Sequence, residues 1–309
     1  MTELRSLAGS PPGEPGPTRP AAEAGGASAE GAALPPELAV VLPLVREAGA
    51  LALRYFLAWH GGSAAQALAV ELKDEDEPVT AADRAVSELC VSRLRAAFPA
   101  DAVVSEELPD DGARHHAART WLIDPIDGTK DFIAGRPGFA VMIGLLEAGR
   151  PVLGAVYQPA ADRLFYARLG AGATLVLAGG TPQRMRVAAT RELAAARMVS
   201  SAANPEPLVA ELRARAGIRD DQQIGSVGIK LSLVAAGERD LYVNPAGKCK
   251  LWDTAAPSII LSEAGGRLTD LRGAPLSYTG ANLSHRRGLV ASNGELHEQA
   301  LAQLAPLIR

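Results

Sequence analysis

The chain has 309 residues, a formal net charge of −4, 48% hydrophobic residues and 21% charged residues. That balance excludes a disordered chain, and the acidic lean excludes a general nucleic-acid binder, which needs a basic footprint. With 4% aromatic residues the core must be aliphatic, and the two cysteines, Cys90 and Cys249, are too few for a disulfide scaffold or a Cys-rich zinc site.

Residues 1–33 are rich in Pro, Gly and Ala and have no period that could bury a face, which predicts a disordered tail. No apolar stretch of an export signal opens the chain, so a cytoplasmic location is expected. No apolar run reaches the roughly 18 residues of a membrane span. The best candidate, Leu34 to Trp59, is interrupted by Glu37, Arg46, Glu47 and Arg54.

From Leu38 to Leu57 the apolar residues recur at helical steps. Pro43 falls inside this run and predicts a kink or the true first turn, and Gly61-Gly62 predicts its end. A second helix is predicted over Thr80 to Ala97, with Thr80 as N-cap and Cys90 in the core. Ala102 to Val104 begins a strand. Trp121 to Ile123 reads as a short strand, followed by Phe139 to Leu146, Val152 to Tyr157, Arg163 to Ala167 and Ala173 to Val176. Short strands with tight turns predict an antiparallel meander. Beyond Gly179-Gly180 the pattern alternates: helices at Pro207 to Ala216, Val227 to Ala236, Thr254 to Ala264 and Glu295 to Leu304, and a strand at Asp240 to Val243. The expectation is one layered α/β catalytic unit over 34–309 in two halves, 34–180 and 181–309.

The most informative stretch is Asp124-Pro125-Ile126-Asp127-Gly128-Thr129-Lys130-Asp131. Two aspartates on a Pro/Gly turn just past an apolar strand can point the same way, and Gly128 lets the backbone approach a phosphate. An oxygen-rich set suits Mg²⁺, which pairs with phosphate. Three further acidic sites stand out: Glu106-Glu107 after Val103-Val104, Asp83 in the first turn of a helix, and Asp253 at the start of an apolar helix, where an N-cap role is also open. His115-His116 lies on a polar loop and reads as surface.

These segments resemble the inositol monophosphatase superfamily. The likeness rests on PVTAADR (78–84), VVSEE (103–107), WLIDPIDGTKDF (121–132) and LWDTAAPSIILSEAGGRLTD (251–270), in that order. Within it, Lys130-Asp131, Gly228-Ile229-Lys230 and the stretch Pro245 to Lys250 are similar to the CysQ-like 3′(2′),5′-bisphosphate nucleotidases. The resemblance implies the layered αβαβα sandwich of the sugar-phosphatase type and a lithium-sensitive phosphatase using two or three Mg²⁺ ions. It implies Glu106, Asp124, the Ile126 carbonyl and the Thr129 hydroxyl around one ion, and Asp124, Asp127 and Asp253 around a second. Thr129, hydrogen-bonded to Asp83, would activate the attacking water. Backbone N–H groups of Gly128 and Thr129 would hold the phosphate, and Glu107 would stand behind the metal ligands.

The substrate implied is a small phosphorylated molecule, 3′-phosphoadenosine 5′-phosphate first, with inositol or other polyol phosphates as the alternative. A second phosphate needs cations away from the metals, and Lys230 and Lys248 are the candidates, with Lys130 and Lys250 behind them and Lys73 near the metal loops. A non-catalytic, macromolecule-binding protein on the same fold is the rival of another class. The oligomeric state stays open.

Overall fold

A computed structural model describes residues 34–61, 70–72, 78–201 and 206–308. The tail predicted over 1–33, Gly62 and Lys73 lie outside the described residues.

The first helix, α1 (Pro36–His60), runs through Pro43. Pro43 and Ala39, whose carbonyl loses its helical partner, are both exposed, so water can take the place of the missing N–H. The proline therefore marks neither the start nor a break of the helix. A small antiparallel pair, β1 (Val70–Leu72) and β2 (Pro78–Thr80), leads into α2 (Ala81–Ala97). Thr80 is its N-cap, accepting from the backbone N–H groups of Ala82 and Asp83.

A seven-stranded sheet follows, in the order β3 (Ala102–Ser105), β4 (Arg119–Asp127), β5 (Ala140–Glu147), β6 (Arg150–Gln158), β7 (Arg163–Arg168), β8 (Gly172–Leu177), β9 (Gln183–Arg184). From β4 onward it is the antiparallel meander that the turn signals predict, whereas β3 pairs with β4 in parallel. The short helix α3 (Thr129–Ile133) sits between β4 and β5.

The second sheet has five strands in the order β11 (Asp220–Ile224), β10 (Arg197–Ser201), β12 (Leu241–Asn244), β14 (Leu289–Ser292), β13 (Arg267–Thr269). The connecting helices are α4 (Pro207–Ala216), α5 (Val227–Ala235), α6 (Leu251–Glu263) and α7 (His297–Leu304). The third of these begins three residues ahead of the predicted start.

Alternation along the strands explains the stacking. Val141, Ile143 and Leu145 of β5 pack with Val41, Val45 and Val86 of α1 and α2. Ala140 and Met142 of the same strand pack with residues of α5 and α6 and with Val199 and Tyr242 of the second sheet. The far face of that sheet buries Met198, Leu241 and Val290 against Leu212 of α4 and Leu304 of α7. The order of layers is thus helix, sheet, helix, sheet, helix, within one compact unit, Pro35–Arg309. The core is largely aliphatic, and Cys90 is fully buried in it, with its thiol pushed up to about 12 by burial.

The middle helix layer lies very close to the first sheet. Gly144 and Gly154 are register partners on β5 and β6, and a Cβ on Gly154 would stand 2.3 Å from the Ala256 carbonyl oxygen of α6. Backbone cannot yield as a side-chain tip can. Gly154→Ala is therefore expected to destabilise the protein by about 1–3 kcal/mol through overpacking. Urea unfolding measures this, and an unchanged midpoint would show that α6 does not press on the sheet there.

Candidate active site

The strand predicted to end at Ile123 continues to Asp127, so both aspartates belong to the end of β4 rather than to a turn beyond it. Pro125 has no N–H to give to the ladder, and the register with β5 shifts between Asp124 and Asp127. Gly128 then turns at φ +95°, where a Cβ would stand 2.8 Å from the Gly138 carbonyl oxygen and 3.1 Å from the Ser226 nitrogen. Parallel pairing of β3 with β4 sets Ser105 beside Ile123, and the next residue, Glu106, donates its backbone N–H to the Ile123 carbonyl at 3.1 Å. Asp83 and Asp253 enter from the first turns of α2 and α6.

The five acids share one electrostatic neighbourhood. Burial pushes the Asp124 carboxyl well above the usual carboxylate range, and Glu106, Asp127, Asp253 and Asp83 push it further. Asp253 is driven the same way by burial, then by Glu106 and Asp127. One oxygen of Asp253 accepts the backbone N–H of Lys250 at 2.9 Å, so this residue ties down the first turn from its third position instead of acting as N-cap.

Asp127 is held differently. Its carboxylate accepts the Ser226 hydroxyl, the Val227 N–H at 3.0 Å and the Gly228 N–H at 2.6 Å, all at the N-terminus of α5. Burial pushes its pKa up, while these donors and the Lys230 ammonium oppose the rise. Asp131 fastens the same loop. One of its oxygens accepts the Gly225 N–H at 2.8 Å, and the other accepts Arg136 Nε and Nη2 at 2.8 and 2.6 Å.

Two expectations meet a different geometry. Lys230 is 1% exposed, its ammonium donates to the Ile224 and Gly225 carbonyls at 3.1 and 2.9 Å, and it lies 5.0 Å over the Tyr242 ring. A lysine spent in this way is an internal counter-charge to the acids, not an accessible partner for a second phosphate. The bond expected between Thr129 and Asp83 is replaced by two others. Thr129 gives its single hydroxyl proton to the Ile126 carbonyl at 3.0 Å, and Asp83 accepts the Thr80 N–H and hydroxyl at 2.8 and 2.6 Å. Capping geometry recruits the nearest donor, three residues away.

Of the remaining candidates, Lys248 is exposed, Lys130, Lys250 and Glu107 are half-buried, and His115 and His116 are exposed on their loop. Cys249 is buried, accepts from Asn244 Nδ2 at 3.1 Å, and has its thiol pushed well up by burial and then by Asp253.

A divalent cation fits this donor set. The Asp124 oxygen Oδ1 is buried and accepts no hydrogen bond, which is costly for a carboxylate unless a cation takes its place. The Ile126 carbonyl and Thr129 hydroxyl oxygens stand side by side, 3.0 Å apart. All six donors, from Glu106, Asp124, Ile126, Asp127, Thr129 and Asp253, are hard oxygens. Among the described residues no three His, Cys, Asp or Glu side chains already close around one point, as expected of carboxylates that repel one another.

Asp253 also lines a cavity of about 210 Å³ whose wall includes Ser200, Arg213, Asp221, Asn244 and Lys248. Ser226 and Arg213 escaped sequence reasoning. Ser226 carries a legible signal as the N-cap of an apolar helix, and its hydroxyl does accept the Ile229 N–H at 2.9 Å. Its contact with Asp127, 99 residues away, has no local trace.

The fold is a layered α/β sandwich, and the family it matches makes the chain a phosphatase acting on a small phosphorylated molecule. The inositol monophosphatase family model matches residues 37–309, and the chain belongs to that family. It is 38% identical to the histidinol-phosphatase of Mycobacterium tuberculosis, over 77% of this chain and 88% of that one. It is 37% identical to the 3′(2′),5′-bisphosphate nucleotidase CysQ of Salmonella typhimurium, over 67% of this chain and 82% of that one. Its structure is similar to the extragenic suppressor protein suhB from Bartonella henselae, with a TM-score of 0.74 at 26% identity, covering 88% of this chain and 99% of that one. No described helix is long and apolar enough to cross a membrane.

Carboxyls raised in the folded state bind protons more tightly there than in the unfolded chain. Their contribution to stability is therefore full below the ordinary carboxylate value near ~4 and is lost as pH rises through the raised values. Metal-free protein should lose stability over this window, Mg²⁺ should restore it, and Asp124→Asn should weaken both effects. Melting temperatures across pH in chelator and in Mg²⁺ measure this. Wild-type and Asp124→Asn curves that coincide would refute the arrangement.

Proposed function

We propose that this protein is a Mg²⁺-dependent phosphomonoesterase that removes the 3′(2′)-phosphate from 3′-phosphoadenosine 5′-phosphate, a 3′(2′),5′-bisphosphate nucleotidase. The observation that carries this reading is the double position of Asp253, a member of the acidic set and also part of the wall of a polar cavity that bears Lys248. Hydrolysis beside Asp253 leaves the remainder of the ester in that cavity, where a cation suits a second phosphate. The likeness to CysQ supports the same choice.

Glu106, Asp124, Asp127, Asp253, the Ile126 carbonyl and the Thr129 hydroxyl would hold two or three ions. Mg²⁺ held there would offset the charge of the phosphate, make a nearby water more acidic and stabilise the leaving oxygen. Each remaining task falls to a residue of the chain. The backbone N–H groups of Gly128 and Thr129, at the turn into α3, receive phosphate oxygens. The N-terminus of α5 orients Asp127 through Ser226, Val227 and Gly228 and favours its charged form against the effect of burial. With the Ile126 carbonyl given over to holding an ion, the Thr129 proton that it accepts here would need another acceptor. Asp83, already in the acidic neighbourhood, is the one this reading assigns, so that Thr129 can accept a proton from the attacking water. Asp83 and Thr129 thus form the catalytic pair, and lithium competing for the cation site would inhibit.

A second reading has a specific support, the 38% identity to a histidinol-phosphatase. A panel of 3′-phosphoadenosine 5′-phosphate, inositol 1-phosphate and histidinol phosphate separates the readings by phosphate release. The bisphosphonucleotide is expected to have the highest kcat/KM. Preference for either other ester overturns the nucleotidase assignment, and no release from any ester makes the protein a non-catalytic user of the fold. Asp127→Asn should cut kcat by about 100-fold or more, the scale on which loss of one charge-stabilising group acts. Near-wild-type turnover would remove Asp127 from the metal set.

A further inference from the structure

On the nucleotidase reading, the group esterified to the phosphate extends into the cavity that Asp253 lines, so the residues of that wall decide which esters are accepted. Two cations stand in it, Lys248 and Arg213. Arg213 comes from α4, outside every motif that marks the metal site.

Arg213 is an anchored cation. Its Nη1 lies 2.9 Å from Asp221 Oδ2, and the Asp221 side chain is 5% exposed. The same Asp221 oxygen accepts the Ser200 hydroxyl at 2.9 Å. Asp221 is thereby held by strand β10 and in turn holds the guanidinium of Arg213, whose side chain is 32% exposed. Only one nitrogen of the fork is engaged, and Nε is buried with no hydrogen-bond partner. A planar guanidinium fixed at one corner has its orientation set, and with Nε buried its Nη groups are the donors that suit phosphate oxygens. Glu206, Asp221 and Asp253 line the same cavity, three acids against two cations, so selectivity for an anion must come from directed donors rather than from a net field.

We propose that Arg213 is a specificity-determining residue that binds a second anionic group, a phosphate carried on the leaving group, and that Asp221 is the positioning residue that aims it. This rests on the nucleotidase reading above and supplies a cation to stand with Lys248 now that Lys230 is buried.

The test compares 3′-phosphoadenosine 5′-phosphate with adenosine 3′-phosphate, which differ only in the 5′-phosphate. Arg213→Gln should lower kcat/KM for the bisphosphate by about 10-fold or more, mainly through KM, and change the monophosphate by about twofold or less. Asp221→Asn should shift the ratio in the same direction by a smaller factor. Arg213→Lys, which keeps the charge without the fork, should recover part of the loss. A wild-type enzyme with no preference for the bisphosphate overturns the nucleotidase reading itself, and the role of Arg213 with it. A wild-type preference that survives Arg213→Gln, or an equal loss on both substrates, overturns only the assignment of Arg213.

Discussion

Repulsion among carboxylates governs this molecule. Asp124, Asp127 and Asp253 bring like charge to a place with little water, with Glu106 and Asp83 close enough to be felt. Such a group is tolerable only if protons, a cation or hydrogen-bond donors neutralise it. Each acid meets that demand in its own way. Asp83 is spent on a helix cap, Asp127 on the N-terminus of another helix, Asp253 partly on its own first turn, and Asp124 keeps an oxygen with no partner. The unsatisfied member marks where an ion is wanted.

The same demand joins the two sheets. Asp127 and Asp131 lie beside the end of one sheet, whereas the loop 224–228 that they bind continues from the edge strand β11 of the other. Lys230 closes the back of this joint by holding the carbonyls of Ile224 and Gly225 while its charge faces the field of Asp127, Asp131 and Asp253. Burial pushes its pKa down and those carboxylates counter the fall, so a charged lysine without solvent is consistent with its neighbours. The site is therefore part of what holds the layers together, and charge changes there carry a structural consequence.

Much of this was legible in the residues. Periodicity located α1, α2, α4 and α5 and the meander, because those segments alternate or repeat against a single buried face. The acids were legible because Asp, Pro and Gly cluster at element ends for few reasons other than turns and ligands. What escaped was set by partners far along the chain. Continuation of β4 through Pro125 depends on β5, and the edge strand β11 with its neighbour β10 in the second sheet depends on parallel pairing that leaves no local period. Lys230 reads as a cation for a second phosphate in sequence because nothing nearby announces Tyr242 or the two carbonyls that bury it. Arg213 lies on a helix of ordinary surface composition, and its anchor on a neighbouring strand is visible only in three dimensions.

The central claim is that raised, mutually repelling carboxyls become the ligands of a divalent cation. Ligands that hold protons must release them when the ion enters. Calorimetric titration of Mg²⁺ into metal-free protein at mildly acidic pH, repeated in buffers of different ionisation enthalpy, counts those protons. The account predicts net proton release in the wild type and less in Asp124→Asn. Mg²⁺ binding without proton release, or no binding at all, would contradict it.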